Sequence, residues 1–356
     1  MLPRCLLVAG GWLLSLSVLA QVQPPTLDPL SSDVRALEAA VNKLQAQRTR
    51  GTWDDYGCVS DNPKVDNGPL LSRILLEQGR SIDVAPVGKA RDYYVSSTIV
   101  WPKRHGGALV GAGGTTLLVR TRNPGVTRLI WNGPPNVPMI EYWGAGGRIS
   151  QLVIQGALDA TKTKPAAIGM LVYSDRNPPS GKLVTDQVTF ANLDVGFKFI
   201  AEPVGNQGGT CKHYALAFHG VRIPYWVDNR QSVNHRFYDV EFRKGFETAL
   251  RFDHGGALAV FGCYVGDNDG GTLLRIGTSS ASNGCFEIYG LHCDGTGRRL
   301  TLVDHGKYAH RVRVSGSCAK LAIADPPVRQ REGPSPFADV QIDCTNGVQW
   351  PKSRSP

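Results

Sequence analysis

Two arginines at matching positions of two short segments offer the most direct chemistry in this sequence. Arg251 lies in the segment Ala-Leu-Arg-Phe-Asp and Arg275 in Leu-Leu-Arg-Ile-Gly, and both segments alternate apolar and polar residues. Such alternation predicts strands with one buried and one exposed face. On neighbouring strands the backbones of the two arginines would lie roughly 5 Å apart, and their charges would repel each other unless an anion or carboxylates lie between them. An acidic sugar is one such anion, and neutralisation by Glu247 and Asp253 is the alternative.

Further side chains are expected to join these arginines. Lys198 takes the exposed position of a third alternating segment, Phe-Lys-Phe-Ile, and Asp253 follows Arg251 on the same predicted strand. His254 comes next and can act as an acid or a base near neutral pH, although an exposed histidine at a strand end needs no such role. We predict catalytic roles for Arg251, Arg275 and His254. We predict substrate binding for Lys198, Glu247 and Asp253.

Two carboxylates stand in the turn before the strand of Arg275. Asp267 and Asp269 belong to the sequence Asp-Asn-Asp-Gly-Gly. Carboxylate oxygens are ligands for Ca²⁺, and two carboxylates can also work as an acid/base pair. Asp, Asn and Gly are equally the preferred residues of a tight turn. Turn formation is the preferred interpretation, and Ca²⁺ held at Asp267 and Asp269 is the one cofactor that this sequence predicts.

Short strands at a regular interval must position these side chains. Ten segments that match apolar-x-apolar-x-Gly, fully or loosely, begin 18 to 36 residues apart between Ala108 and Val340. A second strand follows several of them after nine residues, as from Val188 to Phe197. Several short strands in each repeat of about 25 residues, with no helix between them, are typical of a parallel β-solenoid. A propeller would need repeats of about 40–50 residues, and a sandwich would not keep one register.

Residues 1–20 predict a secretory signal peptide. Arg4 precedes an apolar run that ends in Val-Leu-Ala, and Gln-Val-Gln-Pro-Pro follows it. An uncleaved anchor is the alternative interpretation of this segment. No other stretch approaches the roughly 18 apolar residues of a membrane span. The mature chain is therefore expected to have no membrane span and to be secreted, periplasmic or on the cell surface.

The rest of the chain divides into three predicted parts. Residues 21–50 form a linker and a helix, residues 51–350 a β-helix domain, and residues 351–356 a tail. The 41 glycines and 23 prolines make up about 18% of the 356 residues, more than the combined share of roughly 12% in average proteins. This surplus favours β structure with many corners. Seven cysteines remain after the signal peptide, and this odd number leaves at least one of them outside any disulfide within the chain.

Residues 53–114 resemble the N-terminal module of pectate-lyase-like β-helix proteins. They contain, in order, Asp-Asp-Tyr-Gly at 54–57, Asp-Asn at 66–67, a predicted helix near 69–78, Ile-Asp-Val-Ala-Pro at 82–86, Tyr-Val-Ser-Ser-Thr-Ile at 94–99 and Leu-Val-Gly-Ala-Gly at 109–113. The resemblance implies an all-β fold, a right-handed single-stranded parallel β-helix of about ten coils with an N-terminal α-helical cap. The superfamily includes pectate lyases, polygalacturonase-like hydrolases, phage depolymerases and members with no known chemistry.

The resemblance also implies a reaction. Lyases of this family remove the proton next to a uronate carboxylate, which Ca²⁺ or basic side chains neutralise, and an Arg or Lys is the base. Arg251 or Arg275 can take the role of base, with Asp267 and Asp269 as the Ca²⁺ ligands. The hydrolases carry Asn-x-Asp, paired Asp, Gly-His-Gly and Arg-x-Lys in this order. This chain has only fragments of that series in another order, which argues against glycoside hydrolysis of the polygalacturonase kind.

Charge and motifs narrow the partners. The 39 Lys and Arg exceed the 30 Asp and Glu, giving a formal net charge of +9, which favours an acidic partner. Nucleic acid is excluded because the basic residues do not cluster with aromatic ones. We therefore predict a secreted carbohydrate-active protein, a monomer or a homotrimer, that engages acidic polysaccharide, with lyase chemistry as the candidate reaction. The rival interpretation is a non-catalytic glycan-binding or structural module of the cell surface.

Overall fold

The structure is a computed structural model of the chain. It describes residues 51–79, 85–103, 105–113, 125–143, 146–156, 167–174, 182–201, 210–229, 233–266, 270–277, 284–294, 299–306, 311–318, 324, 326–330 and 339–344. The predicted signal peptide, linker, first helix and tail lie outside these ranges, as do Asp267 and Asp269. Within these ranges, no helix is long and apolar enough to cross a membrane.

Two parallel sheets make up most of the described chain. The first consists, in the order of its pairing, of β1 (Asp92–Val95), β4 (Thr127–Trp131), β6 (Arg148–Gln155), β8 (Val184–Ala191), β10 (Cys211–His219), β12 (Val233–Arg243), β14 (Gly256–Gly266), β16 (Cys285–Asp294), β18 (Arg311–Cys318) and β20 (Asp339–Cys344), with β3 (Ala108–Val110) beside β6. The second consists of β2 (Ile99–Trp101), β5 (Pro138–Tyr142), β7 (Ile168–Ser174), β9 (Val195–Ala201), β11 (Ile223–Asp228), β13 (Thr248–Phe252), β15 (Gly271–Ile276), β17 (Leu300–His305) and β19 (Val328–Gln330).

The connectivity is that of a parallel β-solenoid. From β4 onward the chain alternates between the two sheets, and from β6 onward each strand pairs with the strand two places before it. Each passage through both sheets therefore adds one rung to the stack. The predicted parallel β-solenoid is confirmed.

Inward side chains form columns between the two sheets. Phe190, Phe218 and Phe242 share one register position in β8, β10 and β12, and their neighbouring ring centroids lie 5.5 Å apart. Such aromatic pairs contribute about 0.5–1.5 kcal/mol beyond the burial of their surface. Most of the buried apolar residues form one cluster from Trp53 to Cys344, and Val126, Val153 and Ala191 form a second, small cluster. Because the strands are parallel and in register, a side chain of one type repeatedly contacts its own type on the next rung.

A buried polar network crosses this core. The Tyr225 hydroxyl lies 3.0 Å from Nε2 of His213 and 2.7 Å from Nδ1 of His235. Nδ1 of His213 lies 2.8 Å from the Thr185 hydroxyl, and all four side chains are fully buried. Burial lowers the pKa of His213 well below its usual value and raises the pKa of Tyr225 well above its own. The two groups are therefore neutral near pH 7, and the network satisfies polar atoms inside the solenoid.

Six strands of the first sheet share a bend at one equivalent position. Left-handed φ angles of 47° to 79° recur there on six consecutive rungs, at Gln151, Gln187, Ala215, Asp239, Gly262 and Gly290. Three further residues with left-handed φ angles directly follow strands: Asn192 follows β8, Gly220 follows β10 and Lys244 follows β12. The apolar-x-apolar-x-Gly pattern of the sequence therefore combined two structural positions, because Gly262 marks a bend whereas Gly220 marks a strand end.

The predicted helix near residues 69–78 is α1, Gly68–Gln78. Pro69 lies in the first turn, where the proline's missing N–H costs nothing. No other residue fits in place of Gly68, because a Cβ atom there would lie 2.3 Å from the carbonyl oxygen of Ser97. The helix packs against β2 and β3 through one buried apolar face, which comprises Leu71, Ile74 and Leu75.

The Asp-Asn pair of the family resemblance makes structural contacts. Asp66 accepts hydrogen bonds from the backbone N–H of Ser96 at 2.8 Å and from the hydroxyl of Ser97 at 2.6 Å. Burial opposes ionisation of Asp66, but these hydrogen bonds outweigh it and lower its pKa. The Asn67 side chain donates to the backbone carbonyl of Tyr94 at 3.0 Å. The pair therefore joins the start of α1 to the end of β1.

Candidate ligand-binding face

A row of mostly charged side chains lies on the outer face of the second sheet. In-register pairing of β9, β11, β13, β15, β17 and β19 aligns one outward residue from each strand. Neighbouring members are one rung, about 4.8 Å, apart. We call this set the cationic row: Lys198, Trp226, Arg251, Arg275, Asp304 and Arg329. The structure thus brings three of the predicted site residues, Lys198, Arg251 and Arg275, onto one face.

Trp226 separates two of these cations. The Nζ of Lys198 lies 4.1 Å from the centroid of the Trp226 ring, and the Cζ of Arg251 lies 4.3 Å from it. The strands of Lys198 and Arg251 flank the strand of Trp226, so the ring interacts with a cation from each neighbouring rung. Cation–π attraction of this kind contributes about 0.5–2 kcal/mol, depending on exposure. The ring therefore reduces the repulsion that a continuous column of cations would produce.

Asp253 compensates the charge of Arg251. Its Oδ2 accepts a hydrogen bond from Nε of Arg251 at 2.8 Å and lies 2.7 Å from a terminal guanidinium nitrogen of the same residue. The same oxygen accepts a hydrogen bond from Nε1 of Trp226 at 2.9 Å. Both members of the ion pair are about four-fifths buried, with 21% and 24% of their side chains exposed. Asp253 thus provides the neutralisation that the sequence offered as an alternative, and it also fixes the orientation of Trp226.

Arg275 has unused hydrogen-bonding capacity. Its Nε is buried and has no hydrogen-bond partner among the described residues. Its register neighbours are Arg251, which Asp253 holds, and the buried Asp304. A buried donor without a partner costs about 1–3 kcal/mol. An anion bound at this rung would remove that cost and would lie between Arg275 and Arg251, where the sequence predicted one.

His254 forms a pair with a carboxylate that the sequence did not single out. Its Nδ1 lies 2.5 Å from Oδ1 of Asp228, and the two side chains are about one-third exposed. Asp228 ends β11, and His254 follows β13 on the next rung. A carboxylate at Nδ1 favours the tautomer that carries its proton there, which leaves Nε2 as the proton acceptor. The pair lies beside Asp253, at the carboxyl ends of β11 and β13, the strands of Trp226 and Arg251.

Glu247 lies apart from these residues. It precedes β13, whereas Asp253 follows that strand, so the two carboxylates stand at opposite ends of it. Glu247 binds Arg222 at 2.6 Å, and Arg222 also forms two hydrogen bonds with Asp194, at 2.6 and 3.0 Å. The bond to Asp194, with that to Glu247, raises the pKa of Arg222. Glu247 therefore belongs to a separate ion-pair cluster at the corner before β13.

The tripeptide Asp-His-Gly occurs twice, but its two copies are not equivalent. Asp304 pairs in register with Arg275, and His305 with Ile276, whereas Asp253 follows Arg251 by two residues. His305 is consequently an inward, buried side chain, and its Nδ1 lies 2.8 Å from the carbonyl oxygen of Gly306. The sequence match therefore does not place two equivalent aspartates on one face.

Aromatic side chains continue the same face toward the N-terminal rungs. Tyr173 pairs in register with Ile200, which pairs with Asp228. Trp143 lies directly after β5, and its ring stacks on that of Tyr173 with centroids 3.7 Å apart and planes 7° apart. The Nζ of Lys103 lies 4.6 Å from the centroid of the Trp143 ring. The outer face of the second sheet thus passes from an aromatic part to a charged part.

Sequence reasoning missed several residues of this face, among them Trp226, Asp228 and Asp304. Trp226 was detectable, because the nine-residue offset from Leu216 to Tyr225 puts the next residue in register with Lys198. Asp228 and Asp304 had no such signal, since their roles depend on where neighbouring strands end and on which residues pair. Asp267 and Asp269 lie outside the described residues. Within the described ranges, no group of three or more His, Cys, Asp or Glu is placed to hold a metal ion.

Comparisons with known proteins identify no family. No protein-family model matches the chain, and no curated protein matches it. Among solved structures, Geobacillus virus E2 ORF18 is similar with a TM-score of 0.49 and 12% identity, over 87% of this chain and 64% of that one. Tailspike protein 3 of bacteriophage CBA120 is similar with a TM-score of 0.33 and 11% identity, over 86% of this chain and 63% of that one. The chain therefore spans less than two thirds of either structure, and neither similarity carries an argument about function.

Proposed function

We propose that this protein binds an acidic polysaccharide along the outer face of the second sheet. The observation that carries the proposal is the cationic row, in which Arg275 stands next to Arg251 and has a buried Nε without a partner among the described residues. A carboxylate between the two arginines would accept hydrogen bonds from both and would reduce their repulsion. Arg is suited to this role because it forms two parallel hydrogen bonds with a carboxylate.

The spacing of the row supports an extended polymer as the ligand. One rung follows another about every 4.8 Å along the solenoid, so a chain lying along this axis would meet Lys198, Arg251 and Arg275 in succession. The rings of Trp143 and Tyr173 offer apolar surface on the same face. The excess of basic residues, a net charge of +9, would attract a polyanion over longer distances.

The contacts favour binding without cleavage. Asp253 holds Arg251, and Glu247 binds Arg222 at the far end of β13. Lyase chemistry is the second candidate, and the His254–Asp228 pair is the observation that favours it. Nε2 of His254 would remove the proton next to a uronate carboxylate, and Arg275 would neutralise that carboxylate. The electron pair would form a carbon–carbon double bond, and the glycosidic oxygen would leave and take a proton from water.

Several finer features belong to the same proposal. We propose a solenoid of about ten coils. We also propose that it winds right-handedly, because crossover connections between parallel strands have this hand. The packing of α1 on β2 and β3 supports a helical cap over the exposed strand edges. The proposal also includes membership of the pectate-lyase-like superfamily and secretion after loss of residues 1–20. It further includes Ca²⁺ at Asp267 and Asp269 and a monomeric or homotrimeric state.

Affinity for defined polymers tests the proposal. Titration calorimetry with polygalacturonate and alginate should show binding that weakens as salt rises, and neutral dextran should show none. Arg275→Gln should weaken binding about tenfold. Arg236→Gln is the matched control, since Arg236 is an exposed arginine on the outer face of the first sheet. The affinity of this variant should stay within twofold of that of the unaltered protein. Equal losses from both variants would show that net charge alone binds the polymer.

The same samples separate binding from cleavage. Ultraviolet absorbance of unsaturated uronate ends should stay constant during incubation if the protein only binds. A rise that His254→Asn abolishes while binding persists would establish lyase chemistry instead. Binding to none of the polymers would end both forms of the proposal.

A further inference from the structure

Four consecutive strands of the first sheet each contribute one buried cysteine. Cys263 lies in β14, Cys293 in β16, Cys318 in β18 and Cys344 in β20, and all are at least 93% buried. No disulfide joins any of these residues in the structure. Such a concentration of thiols at one end of the solenoid is independent of the proposed polysaccharide-binding face, which belongs to the second sheet.

Cys318 is central to this group because it lies next to two other thiols. It pairs in register with Cys293 on β16, and its Sγ lies 3.9 Å from the Sγ of Cys344 on β20. A sulfur atom can form only one disulfide bond. The choice between the two neighbours therefore decides which strands a cross-link would join.

The position of β20 favours Cys344 as the partner. Among the described strands, β20 is the last of the first sheet and pairs on one side only, with β18. Cys344 is its one buried residue, and Asp339, Gln341 and Asp343 are exposed. A strand with so little burial opens more readily than an internal one. Cys344 pairs in register with Gly316, two residues before Cys318, so β20 must shift along β18 as the sulfur contact of 3.9 Å shortens to a bond of about 2.05 Å.

Cys293 is less suited to bond formation. Its strand, β16, is paired on both sides, with β14 and β18. Its side chain points the same way as that of Cys318 from the directly opposite register position, whereas a disulfide needs Cβ atoms that approach to about 3.8 Å. Neighbouring parallel strands lie about 4.8 Å apart, so this pairing would require two internal strands to move together.

We propose that Cys318 and Cys344 form a disulfide bond under oxidising conditions and that this bond fastens β20 to β18. The oxidant is a small-molecule disulfide such as oxidised glutathione. One protein thiolate attacks it and releases a thiol, and the second protein thiolate then displaces the other half from the mixed disulfide. Two S–H bonds and one S–S bond are thereby exchanged for one protein S–S bond and two small thiols. The two electrons pass to the small disulfide.

The environment of the thiols indicates when the bond forms. Hydrogen bonding with Cys293, together with burial, raises the pKa of Cys318 to about 12. The hydrogen bond with Cys318 and burial raise the pKa of Cys344 as well. Because the thiolate is the reactive form, both groups react slowly once the strands are in place. We therefore expect the bond to form while the chain folds.

Peptide mapping of the refolded full chain tests the proposal. The protein is refolded with reduced and oxidised glutathione, alkylated without reduction, digested and analysed by mass spectrometry. A peptide pair joined through Cys318 and Cys344 is expected, with Cys263 and Cys293 alkylated. A Cys293–Cys318 pair, or alkylation of all four residues, would overturn the proposal. This result requires no variant and is therefore independent of any folding defect.

Variants and hydrogen exchange sharpen the same test. Cys344→Ser should remove the cross-link, and Cys263→Ser, the matched control, should retain it. Oxidation should slow amide exchange in β20 at least tenfold relative to the reduced protein, while exchange in β10 should change less than twofold. Equal exchange of β20 in the two forms would show that the bond does not fasten the strand.

Discussion

The outer faces of the two sheets use the same in-register stacking for different side chains. On the second sheet, the cationic row places Lys198, Trp226, Arg251 and Arg275 on successive rungs. On the first sheet, an aromatic row occupies the same kind of position in β10, β12, β14 and β16. We call it the aromatic ladder: Tyr214, Tyr238, Phe261 and Tyr289.

The contacts within the two rows differ in sign. Ring centroids in the aromatic ladder lie 5.0, 5.4 and 5.7 Å apart, with planes 8° to 18° from parallel. Each ring therefore gains attraction from its neighbour. Arg251 gains nothing from its neighbour Arg275, and it is held instead by Trp226 and Asp253.

This difference teaches how function can be recognised on a solenoid. A parallel stack repeats one side chain on the next rung, which stabilises apolar and aromatic columns and destabilises columns of like charge. An aromatic ladder therefore requires no explanation beyond folding. A column of cations that keeps a buried donor unsatisfied, as at Arg275, has a cost that binding would offset.

Asp253→Asn is expected to give the largest changes in stability and in affinity. The two changes should have opposite directions. The amide keeps the shape of Asp253 but removes the charge that compensates Arg251. The free energy of unfolding should fall by about 2 kcal/mol, and affinity for polygalacturonate should rise severalfold. Urea unfolding and calorimetry measure the two quantities. Weaker binding would show that Asp253 itself contacts the ligand.

Tyr238→Ala should affect stability alone. The change removes the two ring contacts that Tyr238 makes, with Tyr214 and Phe261, each worth about 0.5–1.5 kcal/mol. Thermal unfolding should show a loss of about 1–2 kcal/mol, while polygalacturonate affinity stays within twofold of the unaltered protein. A marked loss of affinity would mean that the aromatic ladder, and not only the cationic row, binds the polymer.

Acid should weaken the core that supports both faces. The folded-state pKa of the buried His213 lies well below the usual value, so below about pH 6.5 the unfolded chain binds a proton that the folded chain does not. Stability is therefore fully present above that pH and should fall by up to about 1.4 kcal/mol per pH unit below it. His213→Phe should flatten the profile measured by urea unfolding. The exposed His292 supplies the control, and an equally flat profile for His292→Gln would contradict this account.

Lys198→Met should give the smallest effect and compares the two faces directly. It removes one cation–π contact with Trp226, worth about 0.5–1 kcal/mol at an exposed site, and one positive charge of the cationic row. Polygalacturonate affinity should fall two- to threefold. Lys212→Met is the matched change on the first sheet, where Lys212 is exposed, and it should leave affinity unchanged. Indistinguishable effects of the two changes would remove the distinction between the faces.

Much of the charged face followed from local pattern. Alternation put Lys198, Arg251 and Arg275 on outward-facing positions, and the common strand length predicted that they share a face. The pairing of Asp253 with Arg251 was also foreseen, as the neutralising alternative. These features need only the two-residue period of a strand.

Other features depend on pairing that a sequence pattern does not contain. Glu247 was grouped with Asp253, but the length of β13 sets them at opposite ends. The two copies of Asp-His-Gly are identical in sequence, but register places Asp304, and not Asp253, in the position of the row arginines. A shift of two residues relative to the neighbouring rung is invisible in a motif, although it changes which contacts a side chain makes.

The sequence by itself determined the parallel β-solenoid, because short alternating strands at a regular interval leave few other ways to bury their apolar faces. It also determined which residues are outward, since that depends on alternation alone. Only the tertiary structure decided that Trp226 lies between two cations, that Asp228 binds His254, and that Arg275 keeps a buried donor. These contacts join separate rungs, and the register of the rungs is set by bends and strand ends that glycine, asparagine, glutamine and alanine can all form.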